Sequence, residues 1–167
     1  QIDARDAQQS VRDAQISLES AQLSLSKLKL NQQSGASDLD QSIEDAQLAL
    51  DQAYQNGFNA VSTTFLDMPS ILAGMGDVFL EHNLEPGNGD NVNAYGNMVS
   101  EDERFEVRKM VNDIVIEYNT VDNRYKTNLD HYKASSRSSD SAVIEALLKE
   151  TLATVEAMDD LAKHEQN

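Results

Sequence analysis

The sequence predicts an all-α chain: an antiparallel coiled-coil hairpin that continues into a three- or four-helix bundle, elongated overall. Three observations predict it. Apolar residues recur at alternating spacings of four and three over two stretches. A short polar turn separates those stretches, so that they can fold back on each other. No segment alternates polar and apolar residues for long enough to make a strand.

The first heptad run occupies residues 3–33. Ala7, Val11, Ala14, Leu18, Ala21, Leu25 and Leu28 form its seam. The Ala7–Ala14–Ala21 row is small throughout, so a partner helix can approach closely. A second row, Ile16, Leu23 and Leu30, is expected to lie beside the seam and widen the apolar face. The unit repeats visibly as DAQISLE, SAQLSLS and DAQLALD. A helix of this length reaches roughly 45 Å at 1.5 Å per residue. The run stops at Ser34–Ser37, where Gly35 suits a helix end and Ser37 or Asp38 can cap the next helix. Leu39, Ile43, Ala46, Leu50 and Ala53 then resume the same spacing. Residues 1–53 are thus expected to be a hairpin with its turn at 34–37.

Residues 54–167 are expected to form the bundle. Side chains become bulkier after Ala53, and Pro69 is expected to start a new short helix carrying Ile71, Leu72, Met75, Val78 and Phe79, with one kinked helix as the alternative. Pro86 and several glycines make 83–99 a loop. Ser100 with Glu103 reads as a capping box. It opens a helix with the stripe Val107, Val111, Ile114, Tyr118, Val121, Tyr125, Leu129 and Tyr132. A polar turn at 135–139 precedes a last helix, capped by Asp140 or Ser141. Its face carries Ile144, Leu148, Leu152, Val155 and Ala162, with Leu147, Thr151 and Met158 alongside.

Charge and composition exclude several function classes. The 167 residues carry 13 Lys+Arg against 29 Asp+Glu, a formal charge of -16. Nothing in such a chain neutralises phosphates, which argues against nucleic acid and against anionic lipid headgroups. There is no Cys, so no disulfide framework, thiolate zinc site or cysteine nucleophile is possible. Apolar stretches are too short to insert in a membrane. The start at Gln1, without Met or a signal-peptide pattern, suggests an excised fragment, with any anchor outside it.

Candidate chemistry is sparse, and no catalytic residue, cofactor or metal is expected. His82, His131 and His164 are scattered near helix ends; His82 with Asp77 and Glu81 lacks the paired ligands of a helix zinc site. The Asn88–Asn93 segment resembles a calcium loop superficially, but neither register supplies the acid at position twelve together with one at position three. The carboxylates Asp159–Asp160 and Glu101–Glu103 suit helix ends and solvated faces better than acid–base catalysis. Tyr118, Tyr125 and Tyr132 follow the core stripe, with their hydroxyls at its rim. Arg104, Arg108 and Lys109 are the one basic cluster. They could contact an anion or a partner, while Glu101 and Glu106 are placed to pair with them within the helix.

The run DARDAQQSVRDAQISLESAQLSLSKLKL, with DLDQSIEDAQLALDQAY after the turn, resembles the α-helical hairpin of HlyD-like membrane fusion proteins, the periplasmic adaptor subunits of efflux and type I secretion systems. The likeness covers about residues 3–53. The segment from Tyr54 to Asn83 resembles a helical domain inserted in some of these adaptors. The turn, LKLNQQSGASDLDQS, departs from the Arg-Leu-x-x-x-Asp-Leu signature of adaptors that meet a TolC-like channel. The resemblance implies a non-catalytic module outside the cytoplasmic membrane, tethered through segments elsewhere. Its implied partners are proteins: an inner-membrane transporter and neighbouring protomers of a homo-oligomer. An extracytoplasmic four-helix sensor domain of a chemoreceptor-like protein, binding a small ligand between helices, is the alternative.

Overall fold

A computed structural model describes residues 4–32, 38–80, 94 and 98–164. Among these residues it is all-helical: α1 (Ala4–Gln32), α2 (Asp38–Phe79), α3 (Arg104–Ala134) and α4 (Ser141–His164). The expected turn at 34–37, most of the 83–99 loop, the Asn88–Asn93 segment and His82 lie outside the described residues. So do the side chains of Leu39, Phe79 and His164.

Directions follow from the cross-helix pairs. Gln22 of α1 reaches Glu145 of α4, and Arg12 reaches Glu156, so those helices run antiparallel. Tyr54 meets Glu145 and Gly57 meets Leu148, so α2 and α4 run parallel. Phe58 packs on Tyr132 and Phe65 on Tyr125, which makes α2 and α3 antiparallel. Contacts link α1 to α2 and α4, and α3 to α2 and α4, while α1 and α3 do not meet among the described residues. The cross-section is therefore a rhombus with α2 and α4 on its short diagonal.

That diagonal holds the core. Val61, Thr64 and Met68 of α2 are almost fully buried, as are Ile144, Leu148, Thr151, Thr154, Val155, Met158 and Leu161 of α4, with Val11 from α1. The seam residues Ala7, Leu18, Leu25, Leu50 and Ala53 are buried with them. Ala14, Ala21, Ile43 and Ala46 pack against the cluster, and Leu28 is half-buried. Fully burying a Leu or Met side chain contributes about 1.5–3 kcal/mol, so this stripe dominates stability. Phe65 stacks on Tyr132 at 4.6 Å between centroids. The Tyr118 hydroxyl donates to the Leu72 carbonyl at 3.4 Å, and the rings of Tyr118, Tyr125 and Tyr132 pack, partly buried, against the core as their spacing suggests.

Four expectations need correction or refinement. No new helix starts at Pro69; α2 runs through it as one helix of 42 residues. Pro69 is exposed and removes the bond that an N–H there would make to the Phe65 carbonyl, while buried Met68, Ile71 and Leu72 hold the helix on either side. Position 53/54, the expected hairpin–bundle boundary, accordingly lies inside α2. Ser100 and Glu103 do not form a reciprocal capping box. Their side chains bond each other at 2.7 Å, and a turn whose N–H groups at Glu103 and Arg104 bond the Ser100 carbonyl precedes α3. Ile16, Leu23 and Leu30 do not widen the buried face. They are 59%, 56% and 74% exposed, because a heptad with its seam at 7, 11, 14 and 18 places this row on the far side of the helix.

The polar turn at 135–139 is built by serines. The Ser136 N–H donates to Ser139 Oγ at 2.9 Å, and the Ser139 N–H donates to the Ser136 carbonyl at 3.0 Å. The Asp140 carbonyl then accepts the N–H groups of Val143 and Ile144, which fixes it just ahead of α4.

Two glycines of α2 differ in what surrounds them. A Cβ at Gly57 would sit 2.9 Å from Leu148 Cδ1, whereas a Cβ at Gly74 meets nothing within 4 Å. In urea titrations, Gly74→Ala is expected to raise unfolding free energy by about 0.5–1 kcal/mol through helix propensity. Gly57→Val is expected to lower it by about 1–3 kcal/mol through overpacking against Leu148. Equal effects at both positions would contradict the close α2–α4 approach.

Candidate interaction surfaces

Polar side chains tie the helices at three places along α4. Nearest its start, Gln22 Nε2 of α1 donates to Glu145 Oε1 at 2.6 Å and to the Tyr54 hydroxyl at 3.0 Å, and that hydroxyl donates to the same carboxylate at 2.7 Å. One node thus joins α1, α2 and α4. Burial first, then the Glu145 carboxylate, raises the Tyr54 hydroxyl above its ordinary pKa of 10.0. Further along, His131 Nδ1 lies 2.7 Å from Glu150 Oε2 and joins α3 to α4. Its hydrogen bond and charge interaction with that carboxylate raise the imidazole above 6.5. Last, Arg12 pairs with Glu156 at 2.8 Å and Gln8 Nε2 donates to the same carboxylate at 3.4 Å.

These carboxylates act as struts between helices. The Asp159–Asp160 pair is likewise engaged, with Lys163 Nζ at 2.7 and 3.2 Å from the two. Among the described residues no three His, Asp or Glu side chains gather as a metal site would require. No described helix is long and apolar enough to cross a membrane.

Buried polarity in the α3–α4 interface was not legible beforehand. Asn128, which falls among the core residues of α3, is buried and accepts the Thr151 hydroxyl at 3.2 Å on Oδ1, while its Nδ2 has no partner. A shallow cleft of about 410 Å³ opens beside it, bordered by Arg124, Thr127, Glu150 and Thr154. The phase of Asn128 on the stripe, between Tyr125 and Tyr132, was the available signal. Polar identity hid it.

The basic cluster is only partly brought together. Arg104 is half-buried with its Nε unpartnered, whereas Arg108 and Lys109 are exposed. Among the described residues the expected pairs with Glu101 and Glu106 do not form. Phe105 and Ile116, 75% and 64% exposed, share the outward side of α3 with Lys109. On the hairpin, the Ile16–Leu23–Leu30 row is outward too, as is Leu48 of α2. The serines flanking the row are already satisfied: Ser17, Ser24 and Ser26 donate to the carbonyls of Asp13, Ser20 and Gln22 at 2.8–2.9 Å. Covering them costs little, because their donors are not left unpaired.

Comparison with known proteins returned no match to a family model, to a curated protein or to a solved structure.

The His131–Glu150 tie has a definite pH signature. A folded-state pKa above the unfolded value gives stability that is present below pH 6.5 and lost as pH rises through the folded value. An NMR titration is expected to place His131 above 6.5, and Glu150→Gln to move it down towards that value. An unmoved His131 in the variant would show that another group sets its basicity. Tyr54 follows the same sign at higher pH: its contribution holds below pH 10.0 and disappears as pH rises through the raised value.

Proposed function

We propose that this chain is a non-catalytic contact module that works outside the cytoplasmic membrane in a transport assembly of the membrane-fusion type. One observation carries the reading: the hairpin presents an unpartnered heptad row, Ile16, Leu23 and Leu30, on its outer side. Exposed apolar rows at heptad spacing are what a further helix needs for knobs-into-holes packing. The likeness of residues 3–53 to adaptor hairpins supports the same reading. So does the use of the α4 carboxylates Glu145, Glu150 and Glu156 as ties, which leaves them engaged with neighbouring helices.

In this reading the long helices set spacing, and their outer faces meet an inner-membrane transporter or a neighbouring adaptor. The reading requires that Ile16→Ser, Leu23→Ser and Leu30→Ser together leave the fold intact, since none is in the core. Copurification of the full-length protein with its membrane transporter is expected to fall by at least about tenfold in the triple variant. Undiminished copurification of a folded triple variant would refute the assignment of this row.

A ligand-sensing domain is the second reading, favoured by the cleft beside Asn128 and its unpartnered Nδ2. A thermal-shift screen of small anions and amino acids discriminates. A reproducible rise in Tm that Asn128→Leu abolishes would establish the sensor in place of the adaptor.

A further inference from the structure

We infer that the cleft between α3 and α4 takes a carboxylate, with the Asn128 amide and the Arg124 guanidinium as its donors, which rests on the second reading above and names its ligand class. A free organic acid would serve the sensor. A carboxylate carried by a protein partner would serve the adaptor.

The donor at the floor of the cleft is Asn128. It is 2% exposed, its Oδ1 accepts the Thr151 hydroxyl at 3.2 Å, and its Nδ2 has no partner. Asn128 borders the cleft of about 410 Å³, and Thr151 does not. With Oδ1 turned to Thr151, the NH2 group is left on the cleft side of the amide. Nδ2 is also closed off from water, so its N–H groups lack even a solvent partner. A buried donor in that state lowers stability until an acceptor reaches it. A ligand oxygen gains that contact when the exposed rim, Arg124 and Thr127, turns aside.

The other polar groups around Asn128 fix what the oxygen belongs to. The hydroxyls of Thr127 and Thr154 donate to the carbonyls of Asn123 and Glu150 at 3.0 and 2.8 Å, so their protons are committed. Arg124 Nη1 donates to the Ala153 carbonyl at 3.0 Å, and Arg124 makes no ion pair among the described residues. Its remaining N–H groups suit the paired oxygens of a carboxylate.

Two charged side chains border the cleft, Arg124 and Glu150. Because α3 and α4 run antiparallel, with Arg124 at the level of Ala153 and His131 at that of Glu150, Asn128 lies between the cation and the acid. A carboxylate therefore sits towards Arg124. Glu150 opposes it, and His131, 2.7 Å from Glu150 Oε2, offsets that charge when protonated. An ammonium group has the reverse preference and cannot use Asn128, where the unfilled groups are donors.

The side-chain NH2 resonances of Asn128 report on the site directly. At constant ionic strength, sodium propionate is expected to shift them saturably. Arg124→Gln is expected to weaken that binding by about tenfold, and Glu150→Gln to strengthen it. Propionamide and propylamine hydrochloride are expected to bind far more weakly, and circular dichroism confirms that each variant is folded. Acetyl-Gly-Ala, with its C-terminus free or amidated, separates the two sources. A free form that binds tighter than propionate assigns the carboxylate to a protein, and one that binds more weakly assigns it to a free acid. Tighter binding of propylamine overturns the carboxylate and leaves the ligand-sensing reading standing. No shift with any probe removes both, and an affinity indifferent to Arg124→Gln overturns the role of the guanidinium.

Discussion

An unbroken α2 is the constraint on which the other helices depend, because all three of them pack on it. Its first half closes the hairpin with α1 through Ile43, Ala46, Leu50 and Ala53. Its middle approaches α4 closely at Gly57, and its second half carries Phe65 onto the α3 tyrosines. Were the helix to end at Pro69, Met75 would lose its fixed phase relative to Val61 and Met68, and the core stripe would not continue past that point. The cost of a proline in the helix interior, about 3 kcal/mol, is offset by the buried residues on both sides of it.

Polar side chains then fix the relative positions of helices that apolar packing leaves free to slide. The Gln22–Tyr54–Glu145 node sets one level of the bundle, His131–Glu150 and Asn128–Thr151 another, and Arg12–Glu156 a third. Exposed pairs of this kind contribute little energy individually. Their value is geometric, since each is satisfied in only one register. What remains outside this framework is a set of outward apolar side chains, on the hairpin and on α3, that the fold itself does not use.

Much of this architecture was legible because a heptad leaves few choices. The burial of Ala7, Val11, Leu18, Leu25, Leu50 and Ala53 follows directly from spacing, and so does that of the tyrosine stripe of α3. Pro69 misled because propensity is local, while the packing of Met68, Ile71 and Leu72 that overrides it involves helices distant in sequence. The Ile16 row misled because apolar character was taken as burial; its heptad position, opposite the seam, was the better guide. Asn128 escaped notice because its hydrogen bond with Thr151 of another helix has no spacing to betray it. Phe105 and Ile116, by contrast, could have been found as apolar residues out of phase with their own stripe.

The central claim is that hairpin and bundle are one body joined by α2, and a distance measurement across Pro69 tests it most directly. Leu48 and Val78 are exposed and flank the proline by about six and about two and a half turns. Spin labels at these positions are expected to give a single narrow distribution near 45 Å, the rise of a continuous helix at 1.5 Å per residue. A broad distribution, or one centred well below that distance, would contradict the account, because the two halves would then be separate units meeting at a break.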